Sequence, residues 1–521
     1  MSAFDAIVIG AGHNGLIAAA YLARAGQRVL VLERRQIVGG ACVTEEVWPG
    51  YHVSTAAYLC SLLRPEIVAD LELTRYGFEV YRRETSGFAP AHDGAKLSFY
   101  PDADRMRAEL ERFCAQTPED VAAYFQFEAD VEKAAAVVDP FLMREPPTEA
   151  ELRAAFQAAG IVELYEPFLH GSVRDLLEAR FRNERLKTML ATDGLIGTYG
   201  GPSTPGTAYV LLHHYLGNIL GSRGGWGYVR GGMGQITQAL AKVVTAYDGE
   251  IRTGAEVARI LVTDGKAVGV RLADGTEIGA TAVLSNADPY HTFNKLADGA
   301  FSGSGSAHWN TLVTQGGASA KINLAVSELP RFTCLPNGPI PGPEHLGTIH
   351  LGPDMAYLER AWEEARQGCP STEPMIEMYV QTATDSSLTP SGRHILSLFV
   401  QYFPYNLAPG LDLDTERERF ADRVIALVAQ YAPNVPASIL HRQVLTPRDL
   451  EARFGLTGGH IFHGDLLPPN LWRQRPGEGF FGATTPLPGL YLCGSGAHPG
   501  GCVCGAPGYN AAQTLLATCG P

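Results

Sequence analysis

Two glycine-rich stretches near opposite ends of the chain constrain its fold more than any other feature. The first is Ile7-Val8-Ile9-Gly10-Ala11-Gly12-His13-Asn14-Gly15, with Glu33 eighteen residues after Gly15. The second is Tyr491-Leu492-Cys493-Gly494-Ser495-Gly496, running through Pro499-Gly500-Gly501 to Gly505-Ala506-Pro507-Gly508. Around the first, residues 6–9 read as a strand, 16–25 as an Ala/Leu-rich helix closed by Gly26, and 28–32 as a second strand. This is the strand–turn–helix pattern that holds a dinucleotide phosphate. Gly10 permits the tight turn, Gly12 lets the backbone approach a pyrophosphate, and Gly15 lets the helix pack closely. His13 and Asn14 lie at the helix N-terminus, where unpaired N–H groups and the dipole favour negative charge. Glu33, ending the second strand, is placed to accept hydrogen bonds from ribose hydroxyls.

Among dinucleotides the pattern favours FAD. Arg34 and Arg35 suggest a 2′-phosphate partner, but Glu33 would repel one. Val38-Gly39-Gly40-Ala41 extends the phosphate loop, and Val257 opens a β-like run assigned to the cofactor set. Gly494 and Ser495 precede a second helix start at Gly505-Ala506, whose N–H groups would face the flavin's pyrimidine edge. A ligand held at both ends of the chain requires all of it to fold together.

Between the motifs, residues 102–185 read as helical, 207–216 as a helix, and Gly231-Gly232-Met233-Gly234 as the opening of another helix to about Ala246. Three β-like runs follow (257–263, 267–272 and 276–278), separated by Asp264-Gly265 and Asp274-Gly275, the chemistry of tight hairpin turns. Ala282-Val283-Leu284-Ser285 then forms a buried strand, and residues 291–445 mix strands (395–401) with a helix (415–431).

The N-terminal fingerprint, the Gly39-Gly40 pair, Asn286-Ala287-Asp288-Pro289 and the Gly500-Gly501 tail resemble phytoene desaturases and carotenoid isomerases, within the amine-oxidase-like flavoproteins. The likeness extends over residues 5–515, and Gly459-His460-Ile461-Phe462-His463-Gly464-Asp465 points to a particular branch. It implies non-covalent FAD, a substrate domain covering the flavin, and long apolar or polyene substrates. The expected fold is α/β: a Rossmann-like FAD-binding domain from residues 1–100, 225–290 and 485–521, with an inserted α+β substrate domain and helical cap from 101–224 and 291–484.

His460 and His463, glycine-flanked and shortly before the second motif, are the candidate acid/base residues, with Asp465 to orient one of them. No aromatic pair or lysine stands out for amine oxidation. Leu152, Phe156, Leu164, Phe168, Leu176 and Leu177 form either a helical domain's own core or a greasy surface that dips into a bilayer. The leading expectation is hydride removal from an apolar substrate, reoxidised by oxygen, a quinone or another acceptor. A flavin-dependent double-bond isomerase, an amine oxidase and a low-turnover flavin-stabilised binding protein remain open.

Charge and cysteine spacing narrow the field further. A net charge of −14 argues against a nucleic-acid partner and against wholesale attraction to anionic lipid. The nine cysteines lack zinc spacing, and Cys502-Val503-Cys504 has the wrong interval for a redox pair, so no metal is expected. With no apolar run long enough to span a bilayer, the expected location is cytoplasmic, with peripheral membrane contact left open.

Overall fold

The computed structural model describes residues 4–298, 306–477 and 479–519. Its first sheet grows from the N-terminal strand Phe4–Ile9, an almost wholly apolar run as expected for a parallel strand covered on both faces. Its parallel strands run in the order Glu250–Arg252, Val29–Leu32, Phe4–Ile9, Glu277–Ser285, Leu490–Leu492. The C-terminal motif thus joins the N-terminal one within a single sheet. Helix His13–Arg24 buries its Leu, Ile and Ala positions beside helices Gly234–Ala246 and Ala506–Cys519.

The strands Val257–Thr263 and Lys266–Leu272 form an antiparallel meander with Glu277–Ser285. The runs expected at 276–278 and 282–285 are therefore one strand. Its first half pairs with the meander, and its second half with the N-terminal strand. The Asp264-Gly265 turn has positive φ at both residues, 50° and 72°, as a two-residue hairpin of that hand requires.

The second sheet runs Ile439–Leu445, Ser319–Val326, His394–Gln401, Met375–Tyr379, Thr348–Leu351, Gly87–Pro90, Lys96–Phe99. Its last two strands come from residues assigned on sequence to the dinucleotide domain. The segment 1–100 is thus divided between the two sheets, and the short alternating runs at 87–99 gave no sign of which sheet they would extend. Residues 103–191 form successive helices over this sheet. Leu152, Phe156, Leu164, Phe168, Leu176 and Leu177 are all buried in one cluster, so that face is the cap's own core and is not free to meet a bilayer. Among the described residues, no helix is long and apolar enough to cross a membrane.

Candidate active site

One cavity of about 690 Å³ runs from the glycine turns into the space between the two sheets. At its N-terminal end Gly10 has φ 90°, which turns the chain out of the strand. A Cβ on Gly15 would lie 2.3 Å from the carbonyl oxygen of Gly10, and one on Gly12 would lie 2.7 Å from Asn286 Nδ2. The Asn286-Ala287-Asp288 strand end thus packs against the turn. Gly39 donates its N–H to Ala11 O at 2.8 Å, and a Cβ on Gly40 would sit 3.3 Å from Gly12 Cα. Two glycine loops are stacked with no room for side chains between them.

Glu33 is buried, and its carboxylate accepts the N–H of Ala11 and of Arg35, each at 2.9 Å. It therefore organises the glycine turn itself, in addition to lining the cavity. Arg34 lines the cavity too, while its Nη2 donates to the carbonyls of Ala452 and Arg453, each at 3.0 Å. These end the helix Pro447–Phe454, where a cation complements the dipole. Asn14 Nδ2 donates to Ser495 Oγ at 3.3 Å, linking the two motifs directly.

His13, Ala41, Val257 and Ser495 also line the cavity. Gly494, Gly505 and Ala506 do not. A Cβ on Gly494 would meet Asn286 O at 2.6 Å, and one on Gly505 would meet Ile17 Cδ1 at 2.6 Å; Ala506 is fully buried. These three shape the wall from behind, and Cys502 and Val503 face the cavity instead. The expected helix does begin at Ala506.

The two candidate histidines separate. His463 lines the cavity with φ 54° and Nδ1 unpartnered, and burial pushes its pKa down to about 4. His460 does not line it. Its Nδ1 accepts the N–H of Phe462 at 3.3 Å, and its Nε2 lies 3.1 Å from Asp465 Oδ1, which also accepts the N–H of Tyr199. Asp465 therefore orients His460 in a structural clamp. Arg475 completes that clamp. Fully buried, it donates to the carbonyls of Ser495 and Phe462, both at 2.6 Å, and of Asp465 at 3.1 Å.

Deeper in the cavity stand two charged groups, Lys321 and Glu377, that no sequence motif singles out. Lys321 lies on the second sheet's strand Ser319–Val326, buried at every position; Nζ donates to Asn323 Oδ1 at 2.7 Å and sits 5.3 Å from the ring of Tyr58. Burial lowers its pKa to about 7. Glu377, on the equally buried strand Met375–Tyr379, accepts the hydroxyl of Tyr379 at 2.5 Å. A charged residue inside an apolar strand is costly to bury, and that was the available signal. Trp226 stacks on His214 at 5.8 Å, and both line the same chamber, whereas Tyr199 packs outside it against Trp362.

The cradle fits FAD. Two interlocked glycine loops leave backbone exposed for a pyrophosphate, Glu33 ends the second strand, and Asn14 Oδ1 and His13 Nε2 are buried without partners. A dinucleotide cradle that opens into a buried chamber defines an FAD-dependent oxidoreductase. The chain belongs to the flavin-containing amine oxidoreductase family, whose profile matches residues 15–309. It is 40% identical to pyridine nucleotide-disulfide oxidoreductase domain-containing protein 2 of Rattus norvegicus, over 98% of this chain and 93% of that protein. It is 26% identical to the neurosporene-forming phytoene desaturase of Rhodobacter capsulatus, over 98% and 93% respectively. An oxidoreductase structure from Methanosarcina mazei superimposes with a TM-score of 0.59 at 20% identity, over 98% of this chain and 99% of that one, and so supports the fold. Cys502 and Cys504 are free thiols.

Proposed function

We propose that the protein is a dehydrogenase that removes hydride from a C–H bond of a substrate with a predominantly apolar body. The observation that supports this is the continuity of the cavity: the space beside the glycine turns opens into a chamber walled by Tyr58, Phe99, Tyr124, Phe125, Trp226 and Phe399. Such walls exclude water and hold a flat or elongated apolar body by contact. The desaturase named above acts, by its name, on phytoene, which is consistent with this class of substrate.

FAD held in the cradle would supply the hydride acceptor, with oxygen, a quinone or another acceptor as the final oxidant. The chain's own residues position and protect. Asn14 and Ser495 fasten the two motifs together, and Arg475 fixes the turn that carries Ser495. His463, uncharged at neutral pH because it is buried, offers Nδ1 as a hydrogen-bonding atom on the cavity wall. Lys321, with a pKa near 7, offers Nζ as a site that takes up or releases a proton in the working range.

The test is an anaerobic flavin spectrum recorded while the holoprotein meets a lipid extract of its host, with product mass read on the same sample. Bleaching of the oxidised band together with a product two mass units lighter is expected. An isomerised product of unchanged mass, formed with prereduced flavin, would replace dehydrogenation by isomerisation. Neither change would refute both.

A further inference from the structure

The chamber's inner wall carries carboxyl groups from three separate elements. Glu128 comes from the helix Glu119–Val138, Asp193 from the turn Thr192–Gly194, and Glu377 from the strand Met375–Tyr379; all three line the cavity. Arg83 is the cation whose field reaches Asp193 and Glu377, yet its hydrogen bonds go to neutral acceptors, Thr348 Oγ1 at 2.8 Å and Trp226 O at 3.1 Å. Glu128 accepts the hydroxyl of Tyr215 at 3.1 Å. Glu377 is 1% exposed, and its Oε1 has no hydrogen-bond partner. The nearest ring nitrogen, His350 Nδ1, is 3.4 Å away and is engaged with Thr192 Oγ1.

We infer that this wall recognises a hydrogen-bond-donating head group, hydroxyl or ammonium, at one end of an otherwise apolar substrate. A hydrocarbon end would desolvate Glu128 and Asp193, which are partly exposed, and leave the buried Glu377 Oε1 without a donor, which is costly in a buried site. A carboxylate head would add a fourth acid to the same wall. A donor head satisfies the free oxygen, and for an ammonium the three carboxyl groups outnumber the like charge of Arg83 on the same wall. Burial and mutual repulsion push Glu377 up to about 8 and Asp193, chiefly by burial, up to about 7; Glu128, buried beside Asp193, is likewise pushed up to about 7. The wall is thus partly protonated near neutrality, meeting a hydroxyl in its neutral form and an ammonium in its ionised form. The apolar remainder of such a substrate lies against Tyr124, Phe125, Phe99 and Met106, which line the same chamber.

The inference rests on this chamber being the substrate site of the proposed dehydrogenase, but its test reads binding and not turnover. The purified holoprotein is titrated with probes sharing an octyl chain and ending in hydroxyl, ammonium, carboxylate or methyl, followed by flavin absorbance and calorimetry. Octanol or octylammonium is expected to bind at least tenfold tighter than octane and octanoate. Glu377→Gln keeps an acceptor oxygen and is expected to retain octanol but lose tenfold for octylammonium. Glu377→Leu is expected to lose tenfold for whichever of the two binds. Asp193→Asn provides the same comparison if either Glu377 variant fails to retain FAD. Equal affinity for all four probes, preference for octanoate, or a Glu377→Leu holoprotein that binds both donor probes as wild type would overturn the inference. A donor-head preference without turnover would leave it standing while the dehydrogenase reading fell.

Discussion

Replacing Glu33 tests whether the acid at the end of the second strand builds the glycine turn as well as binding the cofactor. Its two oxygens accept backbone N–H groups from Ala11 and Arg35, both at 2.9 Å. Hydrogen bonds to a charged acceptor contribute about 1.5–3 kcal/mol each. Ala11 is fully buried, so its N–H would stay unpaired in Glu33→Ala, whereas Arg35 is partly exposed and water can take the place of its partner. The net loss is therefore on the order of 2–4 kcal/mol, dominated by the Ala11 bond. It should be measurable in the apoprotein as a lower urea midpoint with an unchanged slope. Glu33→Gln keeps one carbonyl oxygen and should fall between. FAD affinity, measured separately by flavin fluorescence, should drop further because the ribose loses its acceptor. An apoprotein Glu33→Ala variant that unfolds at the wild-type midpoint would refute the structural role; unaltered FAD affinity would refute the ribose role.

Gly15→Ala places a Cβ 2.3 Å from the backbone oxygen of Gly10, so the purified variant should carry little flavin, whereas Gly279→Ala, with its nearest neighbour at 3.8 Å, should match wild type in flavin-to-protein ratio. Glu377, faced by Asp193, Tyr379, Tyr58, Thr192, Arg83 and His350, is raised from 4.5 to about 8, so its share of stability is present below pH 4.5 and is lost as pH rises through 8. Glu377→Gln should therefore raise Tm above pH 8 and leave it unchanged below pH 4.5, and an equal Tm difference at both ends would count against the assignment. Lys321 has the opposite sign: its pKa falls from 10.5 to about 7, so the unfolded chain binds the extra proton in that window and stability rises with pH across it. Thermal melts of Lys321→Met should show the largest gain below pH 7 and none above pH 10.5. His460→Ala should cost about 1–3 kcal/mol of stability by breaking the Asp465 clamp. His463→Asn, which tolerates the φ of 54°, should melt as wild type and change the rate of flavin reduction instead.

The local elements were legible because their signals are local. The glycine spacing gave the first strand, turn and helix. The Asp-Gly pairs gave the hairpins, and the helix at Gly234–Ala246 began three residues inside the Gly231-Gly232 opening that announced it. The partition into sheets was not legible. Gly87–Pro90, itself paired with Lys96–Phe99, pairs with the strand at Thr348–Leu351, and nothing at either position reports the distant partner. The same limit governed the site. His460 and His463 looked equivalent because they share a glycine-flanked segment, but a positive φ at His463 turns it to the cavity while His460 is held by Asp465 and Phe462. Gly505 looked like a contact for the cofactor, yet its missing side chain makes room for Ile17.

The placement of buried charge is the strongest physical argument that the second sheet serves chemistry. Ser319–Val326 and Met375–Tyr379 are buried at every position, and an apolar residue at 321 or 377 would satisfy both the strand pattern and the core. Replacing buried charged groups by well-packed apolar ones is often neutral or stabilising, so folding alone does not require them. Lys321 and Glu377 do not pair with each other. Lys321 Nζ donates to Asn323 Oδ1, and Glu377 accepts from Tyr379. Each is held by neutral polar neighbours, with its charge at the edge of one cavity. The protonation of each is thereby poised near neutrality from opposite directions, the amine lowered and the carboxyl raised by the same desolvation. A wall built this way is able to exchange protons and hydrogen bonds with an occupant of the chamber, and it stands beside a cofactor cradle that the two ends of the chain complete only when folded together.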